Sequence, residues 1–546
     1  MKRLIIAATA VGLGLSGLGA VSAAAATGTT DTYKPSAISW GACPSDFVST
    51  VASLYDGLSS VKVSTIVKCA NLQVPLDYAH PKGKKISLFL TFTPHQGVGK
   101  AKGQIVVNPG GPGGAGGLFG PRVFAQNSAP MQAAYDVVGF DPRGVGSSVS
   151  ALTCDTTYNQ AVRPDYGTGD KASEKIWLAR SKSYAAKCKA GDKIGLLNHI
   201  KTIDSVRDID TIRAALGDKK LDYYGASYGT TLGSTYATVF PKKVGRMVLD
   251  GDVDPTGMWY RDNLDQDVAF DQNIEYYFGW IAKYDSIYHL GTTQKAVHNF
   301  YYKTLAELKK HPVYSADKSA AVGPADLPDG VQNAAYRRSK AVWTTYAAGL
   351  AAYKAKNWAA FVDTFGAPTK DPVDDNGFAV YNAVQCTDVQ WPLSWAKWQR
   401  DNDKIQAKHP FLTWSNVWFN APCLYWPAKA GKPVKVGATK DLPKNILMFE
   451  ATNDAATPYA GALTLHKILR GSHLVVQDGD RTHCIVHRGS SAVDAYFDAY
   501  FLNGSLPSSS TVHVPQLGDP VPSTTAAAKS LSGSLAAAQL SHDVIK

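Results

Sequence analysis

Residues 225–229 read Gly-Ala-Ser-Tyr-Gly, and this Gly-x-Ser-x-Gly motif constrains the fold more than any other feature of the chain. An apolar run precedes it, and a helix-like segment that stops at Pro241 follows it. A serine hydroxyl is a weak nucleophile at neutral pH, so enzymes that use one expose it on a tight strand-to-helix turn beside a base. Flanking glycines permit such a turn. We therefore predict a nucleophile elbow with Ser227 at its tip, in preference to an ordinary glycine-rich turn.

Short apolar runs followed by turn residues recur along the chain and indicate buried strands. They cover residues 86–93, 104–108, 136–140, 221–224, 246–249, 446–449 and 473–477. Helical patterns lie between several of them, for example at 205–216 and 459–469. This alternation predicts an α/β fold, a mostly parallel sheet with helices on both faces. The chemistry of such a sheet lies beyond the carboxyl ends of its strands.

The strand pattern stops between Asp254 and about Leu442, where helical stretches rich in Trp and Tyr, such as 262–284 and 334–353, replace it. We interpret this region as a helical cap inserted into the core; an unrelated domain packed elsewhere is the alternative. The predicted organisation is a core over 41–255 and 443–510, a cap over 256–442, and a low-complexity tail over 511–546.

The N-terminus has the layout of a secretory signal peptide. Lys2 and Arg3 precede an apolar run, and four alanines at 23–26 supply small residues for cleavage. Glycines interrupt the run, which is also short for a membrane span, so a membrane anchor is the weaker interpretation. We predict a signal peptide over 1–26, a linker or pro-segment over 27–40, and a secreted, extracellular protein without stable membrane association.

Seven cysteines suit an oxidising compartment. Neighbours in the sequence suggest three disulfides and leave Cys484 over: Cys43 with Cys69, Cys154 with Cys188, and Cys386 with Cys423. Six cysteines allow 15 pairings, and spacing alone does not decide between them.

Charge and motif content argue against several other classes. The net charge of +11 comes from 56 basic and 45 acidic residues that are scattered along the chain, which indicates a solvated surface and no nucleic-acid partner. His483, Cys484 and His487 are close in sequence but lack a fourth ligand, so we expect no metal site. We expect no cofactor either.

A serine nucleophile needs a base and an acid, which follow it in the order Ser, Asp, His in elbow-type hydrolases. Asp454 and His483 each follow a predicted strand, so both can converge on Ser227. The alternatives are Asp250 or Asp252 as the acid and His487 as the base.

Residues 108–114 read Asn-Pro-Gly-Gly-Pro-Gly-Gly after an early strand, where such hydrolases place the amides that stabilise an oxyanion. We assign the N–H groups of Gly111 and Tyr228 to this role. A phosphate loop would end in Lys-Ser/Thr, which is absent here. Residues 139–148, with their glycines and the pair Asp141 and Arg143, suit a rigid turn that braces the site.

Together these motifs resemble the secreted bacterial tripeptidyl aminopeptidases, relatives of prolyl iminopeptidase in the α/β-hydrolase superfamily. The match spans roughly residues 40–510 and also includes Leu249-Asp250-Gly251, Asp254-Pro255, Asn453-Asp454 and Thr457-Pro458. The resemblance implies a capped α/β-hydrolase fold and a serine exopeptidase that releases short peptides, typically tripeptides, from free N-termini of peptides or proteins. A secreted carboxylesterase or lipase with the same triad is the main alternative, and a non-catalytic binding protein is a third.

Such an exopeptidase must recognise a protonated α-amino group, which calls for carboxylates under the cap. The inserted region supplies Asp262, Asp265, Asp267, Asp271, Glu275 and Asp388. We expect Asp388 to bind the amine, with Glu275 as a second candidate. The oligomeric state stays open.

The resemblance also bears on Cys484, because relatives usually carry a second cysteine near the chain end and a glycine before the histidine. This chain has Ser-Thr-Val-His at 510–513 and Thr482 before His483. We predict a free thiol beside the base and inhibition by a bulky thiol reagent.

Overall fold

A ten-stranded sheet forms the centre of the computed structural model, which describes residues 33–167 and 171–522. The predicted signal peptide, most of the linker and most of the tail lie outside these residues. The strands of the chain are β1 (Gly41–Ala42), β2 (Lys68–Pro75), β3 (Lys85–Thr93), β4 (Gly103–Asn108), β5 (Tyr135–Phe140), β6 (Leu221–Ala226), β7 (Val244–Asp250), β8 (Val313–Tyr314), β9 (Ala320–Val322), β10 (Ala367–Pro368), β11 (Ile446–Ala451), β12 (His473–Gln477) and β13 (Thr511–Val514).

The main sheet has the order β1-β2-β3-β5-β4-β6-β7-β11-β12-β13. Pairs from β1 to β5 across β2 and β3 are antiparallel, and every pair from β5 onward is parallel. The carboxyl ends of β6, β7, β11 and β12 therefore meet at one edge. The architecture is the α/β-hydrolase fold, as the sequence predicted.

Helices cover both faces of the sheet. They are α1 (Ser45–Tyr55), α2 (Val63–Ile66), α3 (Gly116–Gln126), α4 (Ala129–Ala134), α5 (Lys171–Gly191), α6 (Thr202–Ala215), α7 (Tyr228–Val239), α8 (Tyr260–Lys283), α9 (Asp285–Tyr288), α10 (Gln294–Lys310), α11 (Asp326–Tyr336), α12 (Lys340–Lys354), α13 (Trp358–Phe365), α14 (Asn376–Asp388), α15 (Trp395–Gln406), α16 (Thr413–Asn420), α17 (Tyr459–Ile468) and α18 (Ser491–Asn503). Side chains alternate between the faces, so Val106 joins one hydrophobic core while Ile105 and Val107 join the other.

The region between β7 and β11 holds α8 to α16, and its aromatic residues build a third core around Tyr277 and Trp343. The predicted helix at 334–353 is two helices, α11 and α12, because Arg337 at the end of α11 is extended. A small antiparallel sheet of β8, β9 and β10, which the sequence analysis did not predict, also lies here.

The predicted boundary of the tail at residue 511 is wrong. Residues Thr511–Val514 form β13, which pairs in parallel with β12, so the core continues beyond 510. Two valines alternate with polar residues in this segment, which suits an edge strand with one covered face.

The structure forms the three disulfides that sequence neighbours suggested: Cys43–Cys69, Cys154–Cys188 and Cys386–Cys423. Cys484 is free and buried. Across residues 33–167 and 171–522, no helix has the length and apolar character needed to cross a membrane.

Candidate active site

Ser227 lies on a sharp turn between β6 and α7. Its φ of 56° is in the left-handed region, and its amide donates a hydrogen bond of 2.8 Å to the carbonyl of Asp250. A Cβ atom at Gly225 would lie 2.4 Å from the carbonyl oxygen of Gly229, so the crossing of strand and helix requires glycine. This geometry is that of a nucleophile elbow.

Asp454 and His483, the predicted acid and base, meet in the loops that follow β11 and β12. Oδ2 of Asp454 lies 2.7 Å from Nδ1 of His483. Oδ1 accepts hydrogen bonds of 2.8 and 2.9 Å from the amides of Ala456 and Thr457, which fix the carboxylate. Both partners are almost fully buried, at 1 % and 2 % exposure. A carboxylate at Nδ1 orients the ring so that Nε2 is left to face a nucleophile.

The other ring nitrogen of His483 is available. Nε2 is buried and has no hydrogen-bond partner in the part of the chain that the structure describes. The inserted region holds the ring from outside the core: the His483 amide donates to the carbonyl of Tyr336 at 3.1 Å, and the Tyr336 ring stands edge-on at 5.1 Å.

The alternative acids have other surroundings. Asp250 accepts hydrogen bonds from the amides of Ile485 and Val486 and from the Tyr224 hydroxyl. Burial raises the pKa of Asp250 to about 6. Asp252 is also buried, neither of its carboxyl oxygens has a partner among the described residues, and burial with the nearby Asp250 raises its pKa well above the ordinary value. Neither residue is bonded to His483.

The alternative base, His487, packs away from Asp454. Its ring stands edge-on to Phe497 at 5.0 Å, and its amide donates to Asp494. Burial, together with Arg488 and Arg122, lowers the pKa of His487 to about 3. The ring is therefore neutral at ordinary pH and unsuited to exchange protons as a base.

The predicted oxyanion amides lie beside the nucleophile. Gly111 and Tyr228 line the same cavity as Ser227, and neither amide donates a hydrogen bond to another described residue. The sequence analysis missed Gly110, whose φ is 96° and whose amide donates to Oδ1 of Asn108 at 2.9 Å. A Cβ atom there would lie 2.7 Å from Cβ of Ser227. The consecutive glycines were the signal for this close approach.

Residues 139–148 do brace the site, but Asp141 and Arg143 do not pair with each other. Arg143 donates two hydrogen bonds of 2.7 Å to the buried Asp208 on α6. Asp141 instead accepts hydrogen bonds from the amides of Gly117 and Ser147. Each charge is thus satisfied by a segment distant in sequence.

A cavity of about 630 Å³ opens from Ser227 towards the inserted region. Its polar lining includes neutral side chains and a set of acids with one base, Arg261. The neutral residues are Asn263, Gln266, Gln332, Tyr381, Gln385, Ser415 and Asn416, and the acids are Asp254, Asp262, Asp265 and Asp329. This composition suits a polar ligand that carries positive charge.

The two acids expected to bind an amine do not line this cavity. Asp388 is buried on α14, where it accepts hydrogen bonds from the amide and hydroxyl of Thr202 and from the Trp259 indole. Glu275 lies on α8 and is bonded to Gln294 and His298. Both carboxylates are occupied by protein partners, so this expectation is corrected.

The other cavity acids also differ in their partners. Asp254 pairs with Arg261 at 2.5 Å, and Asp329 pairs with Arg163 at 2.8 Å. Both carboxyl oxygens of Asp262 are buried without a hydrogen-bond partner within the described ranges. Burial raises its pKa to about 8, and Asp254 adds to the effect.

Cys484 lies beside the predicted base, as expected, but its thiol is enclosed. A Cβ atom at Gly251 would lie 2.8 Å from Sγ of Cys484 and 3.2 Å from Nδ1 of His483. The residue is 4 % exposed, its thiol donates to the Asp250 carbonyl, and burial raises its pKa well above the usual range. The expected reactivity towards a bulky reagent is corrected accordingly, because the thiolate is the reactive form.

Comparison with known proteins agrees with this geometry. The Abhydrolase_4 family, described as TAP-like protein, matches residues 409–513. A tripeptidyl aminopeptidase of Streptomyces coelicolor is 39% identical over 450 residues, 80% of this chain and 81% of that protein. The serine protease Hip1 of Mycobacterium tuberculosis is 32% identical over 479 residues, 82% and 88% of the two chains.

Two further similarities were found. Carboxylesterase B of Mycobacterium tuberculosis is 30% identical over 457 residues, 81% of this chain and 85% of that protein. Among solved structures, the proline iminopeptidase of Mycobacterium smegmatis aligns with a TM-score of 0.32 at 13% identity and covers 80% of this chain and 98% of its own. The identity to the Streptomyces enzyme over most of both chains confirms the resemblance: this chain belongs to the tripeptidyl aminopeptidase family of α/β hydrolases and is a serine peptidase.

Proposed function

We propose that the chain is a secreted exopeptidase that releases short peptides, most readily tripeptides, from substrates with a free N-terminus. The observation that carries the chemistry is the 2.7 Å contact between Asp454 and His483, with the opposite nitrogen of the imidazole unpartnered in the described structure. The name of the Streptomyces relative supports the tripeptide unit. Three disulfides and the signal-peptide pattern support export.

In the first half of the reaction, Oγ of Ser227 attacks the scissile carbonyl and passes its proton to Nε2 of His483. Asp454 stabilises the imidazolium that forms. The amides of Gly111 and Tyr228 hold the oxyanion. When the C–N bond breaks, His483 gives its proton to the leaving nitrogen, and an ester to Ser227 remains.

In the second half, water attacks the ester while His483 accepts its proton. The tetrahedral intermediate collapses, His483 returns the proton to Oγ of Ser227, and the N-terminal peptide leaves as a carboxylate. The cavity of about 630 Å³ would hold this acyl portion.

For the substrate amine, Asp262 replaces the two acids predicted from the sequence. A buried carboxyl without a partner is stabilised when a cation approaches, and an ammonium group would return its pKa towards the ordinary range. Asp254 and Asp329 already pair with arginines, so Asp262 is the cavity acid that lacks a protein cation at ion-pair distance among the described residues. The free N-terminus would thus lie at the start of α8.

The test compares four substrates with the mature protein: a tripeptide anilide with a free amine, its N-acetylated form, a single-residue anilide and a short-chain ester. We expect a preference for the free tripeptide of at least about tenfold in kcat/KM over its acetylated form, since a charge-assisted hydrogen bond is lost on acetylation. Asp262→Asn should remove this preference, whereas Glu275→Gln, a matched change on the same helix outside the cavity, should keep it. Cleavage of the ester alone would favour the carboxylesterase alternative, which the similarity to carboxylesterase B supports.

A further inference from the structure

Three arginines gather behind His483 without an acidic partner. They come from separate segments: Arg122 from α3, Arg337 from the end of α11, and Arg488 from the loop after His483. None of the three forms an ion pair with a described residue. Most other buried arginines of the described chain do, as Arg143 does with Asp208.

The hydrogen bonds of the three guanidinium groups are few and local. Arg122, only 7 % exposed, donates to Gln126 one helical turn away at 3.3 Å, and Arg488 donates to the carbonyl of Cys484 at 3.3 Å. The guanidinium of Arg337 makes no hydrogen bond to a described residue. Most of the donor capacity of this cluster is therefore unused.

The three charges act on one another. Burial lowers the pKa of Arg122 to about 10, with a contribution from Arg488. Burial also lowers the pKa of Arg337 to about 9, with contributions from both other arginines. The nearby acids, Asp250 and Asp494, already accept backbone hydrogen bonds. Buried charges of one sign that repel each other are costly unless an anion compensates them.

The cluster adjoins the reacting groups on a side that the large cavity does not reach. A small cavity of about 10 Å³ is lined by Pro109, Ala226, His483, His487 and Arg488, and also by Gln126, the partner of Arg122. None of these residues lines the cavity of about 630 Å³. Nε2 of His487, buried and without a described partner, borders the same space. The small volume admits part of a polar headgroup rather than a whole molecule.

Arg337 is held directly over this region. The His483 amide donates to the carbonyl of Tyr336, and the Arg338 amide donates to Oγ1 of Thr482 at 3.3 Å, so hydrogen bonds flank Arg337 on both sides. In the proposed reaction, which this inference assumes, His483 protonates the leaving nitrogen. The leaving portion of the substrate must therefore pass the His483 side, where the arginines lie.

We propose that Arg122, Arg337 and Arg488 form a carboxylate site that binds the C-terminus of a short peptide substrate on the leaving side of the scissile bond. When a tripeptide is released from a tetrapeptide, the leaving group is one amino acid, and its carboxylate is the anion that the reaction brings to this place. A free carboxylate such as acetate has the same chemistry and is the other possible source.

The test compares a tetrapeptide that has a free C-terminal carboxylate with the same tetrapeptide as its C-terminal amide. We expect kcat/KM of the wild-type enzyme to favour the acid by about tenfold, as for one charge-assisted contact. In Arg337→Gln this ratio should fall to about twofold or less, and Arg337→Lys should retain part of it. Arg400→Gln, which removes an exposed arginine of α15, should keep the wild-type ratio. Equal ratios in the wild type and in Arg337→Gln would overturn the proposal.

Two controls separate the other outcomes. A tripeptide anilide carries no carboxylate, so failure of the wild type to cleave it would reject the proposed function, whereas its cleavage with no discrimination between acid and amide would reject the peptide-carboxylate site alone. Thermal unfolding with added acetate tests the free-ion source. Stabilisation of the wild type but not of Arg337→Gln, with an acid-to-amide ratio near one, would assign the site to free carboxylates and overturn its role in substrate binding.

Discussion

The hydrogen that Gly110 carries in place of a side chain faces Ser227: a Cβ atom at this position would lie 2.7 Å from Cβ of Ser227 and 2.8 Å from the amide nitrogen of Tyr228. Real Cβ contacts are essentially never this short, so a side chain here would displace the nucleophile or the proposed oxyanion donor. The tight approach of these two loops sets the geometry of the site.

Gly110→Ala should therefore lower kcat by about a hundredfold with a smaller change in KM, because misplacing the reacting atoms costs turnover more than binding. Gly99→Ala is the matched control. Gly99 also has a positive φ, of 92°, but a Cβ atom there would have no other atom within 4 Å. Steady-state kinetics of both variants test the prediction, and equal losses in the two would refute a steric role for Gly110.

Asp454→Asn should lower kcat by about 10³ to 10⁴-fold, because an amide no longer fixes the tautomer of His483. Asp252→Asn should cost far less. The carboxyl of Asp252 has a pKa well above the usual range, so it is neutral and similar in shape to an amide. A larger loss for Asp252→Asn than for Asp454→Asn would identify Asp252 as the acid.

Asp388→Asn should alter stability rather than amine recognition. Burial raises the pKa of Asp388 from 3.8 to about 6, so the folded protein holds this proton more tightly than the unfolded chain does. The free energy of unfolding of the wild type, relative to the variant, should therefore fall by about 3 kcal/mol as the pH rises from about 4 to about 6 and then stay constant.

Denaturant unfolding at several pH values measures this difference for Asp388. The preference for a free over an acetylated tripeptide should persist in the variant. Loss of that preference, with stability unchanged, would restore Asp388 as the amine site.

Cys484 should resist modification in the native enzyme. Its thiol is buried and protonated, so iodoacetamide should label it only after denaturation. Mass spectrometry of native and denatured samples, treated for the same time, tests this. Rapid native labelling accompanied by loss of activity would instead agree with the reactivity expected from the sequence.

The sequence predicted the elbow and the residues that meet at His483 because each lies at the end of an apolar strand. In a parallel sheet those ends share one edge, so chain order was enough to bring Ser227, Asp454 and His483 together. The main strands were visible for the same reason, since their apolar runs are continuous and bounded by turns. The last strand was missed because Thr511–Val514 is short and precedes a low-complexity segment.

Pairing between distant charged residues could not be predicted in this way. Whether Asp388, Glu275 or Asp262 faces a cavity depends on how helices of the insertion pack, and no local pattern records it. Arg143 shows the same limit, because its partner Asp208 lies on another helix. The arginine cluster behind His483 also joins three separate segments of the chain.

The most direct test of the account uses a tripeptide diphenyl phosphonate, which phosphonylates a serine nucleophile and stops there. With a free amino terminus it should label the mature enzyme at Ser227, as located by peptide mass mapping. Its N-acetylated form should react at least about tenfold more slowly. Ser227→Ala should take up no label. Labelling at another residue, or equal rates for the free and acetylated reagents, would contradict the assignment of Ser227 as the nucleophile of an aminopeptidase.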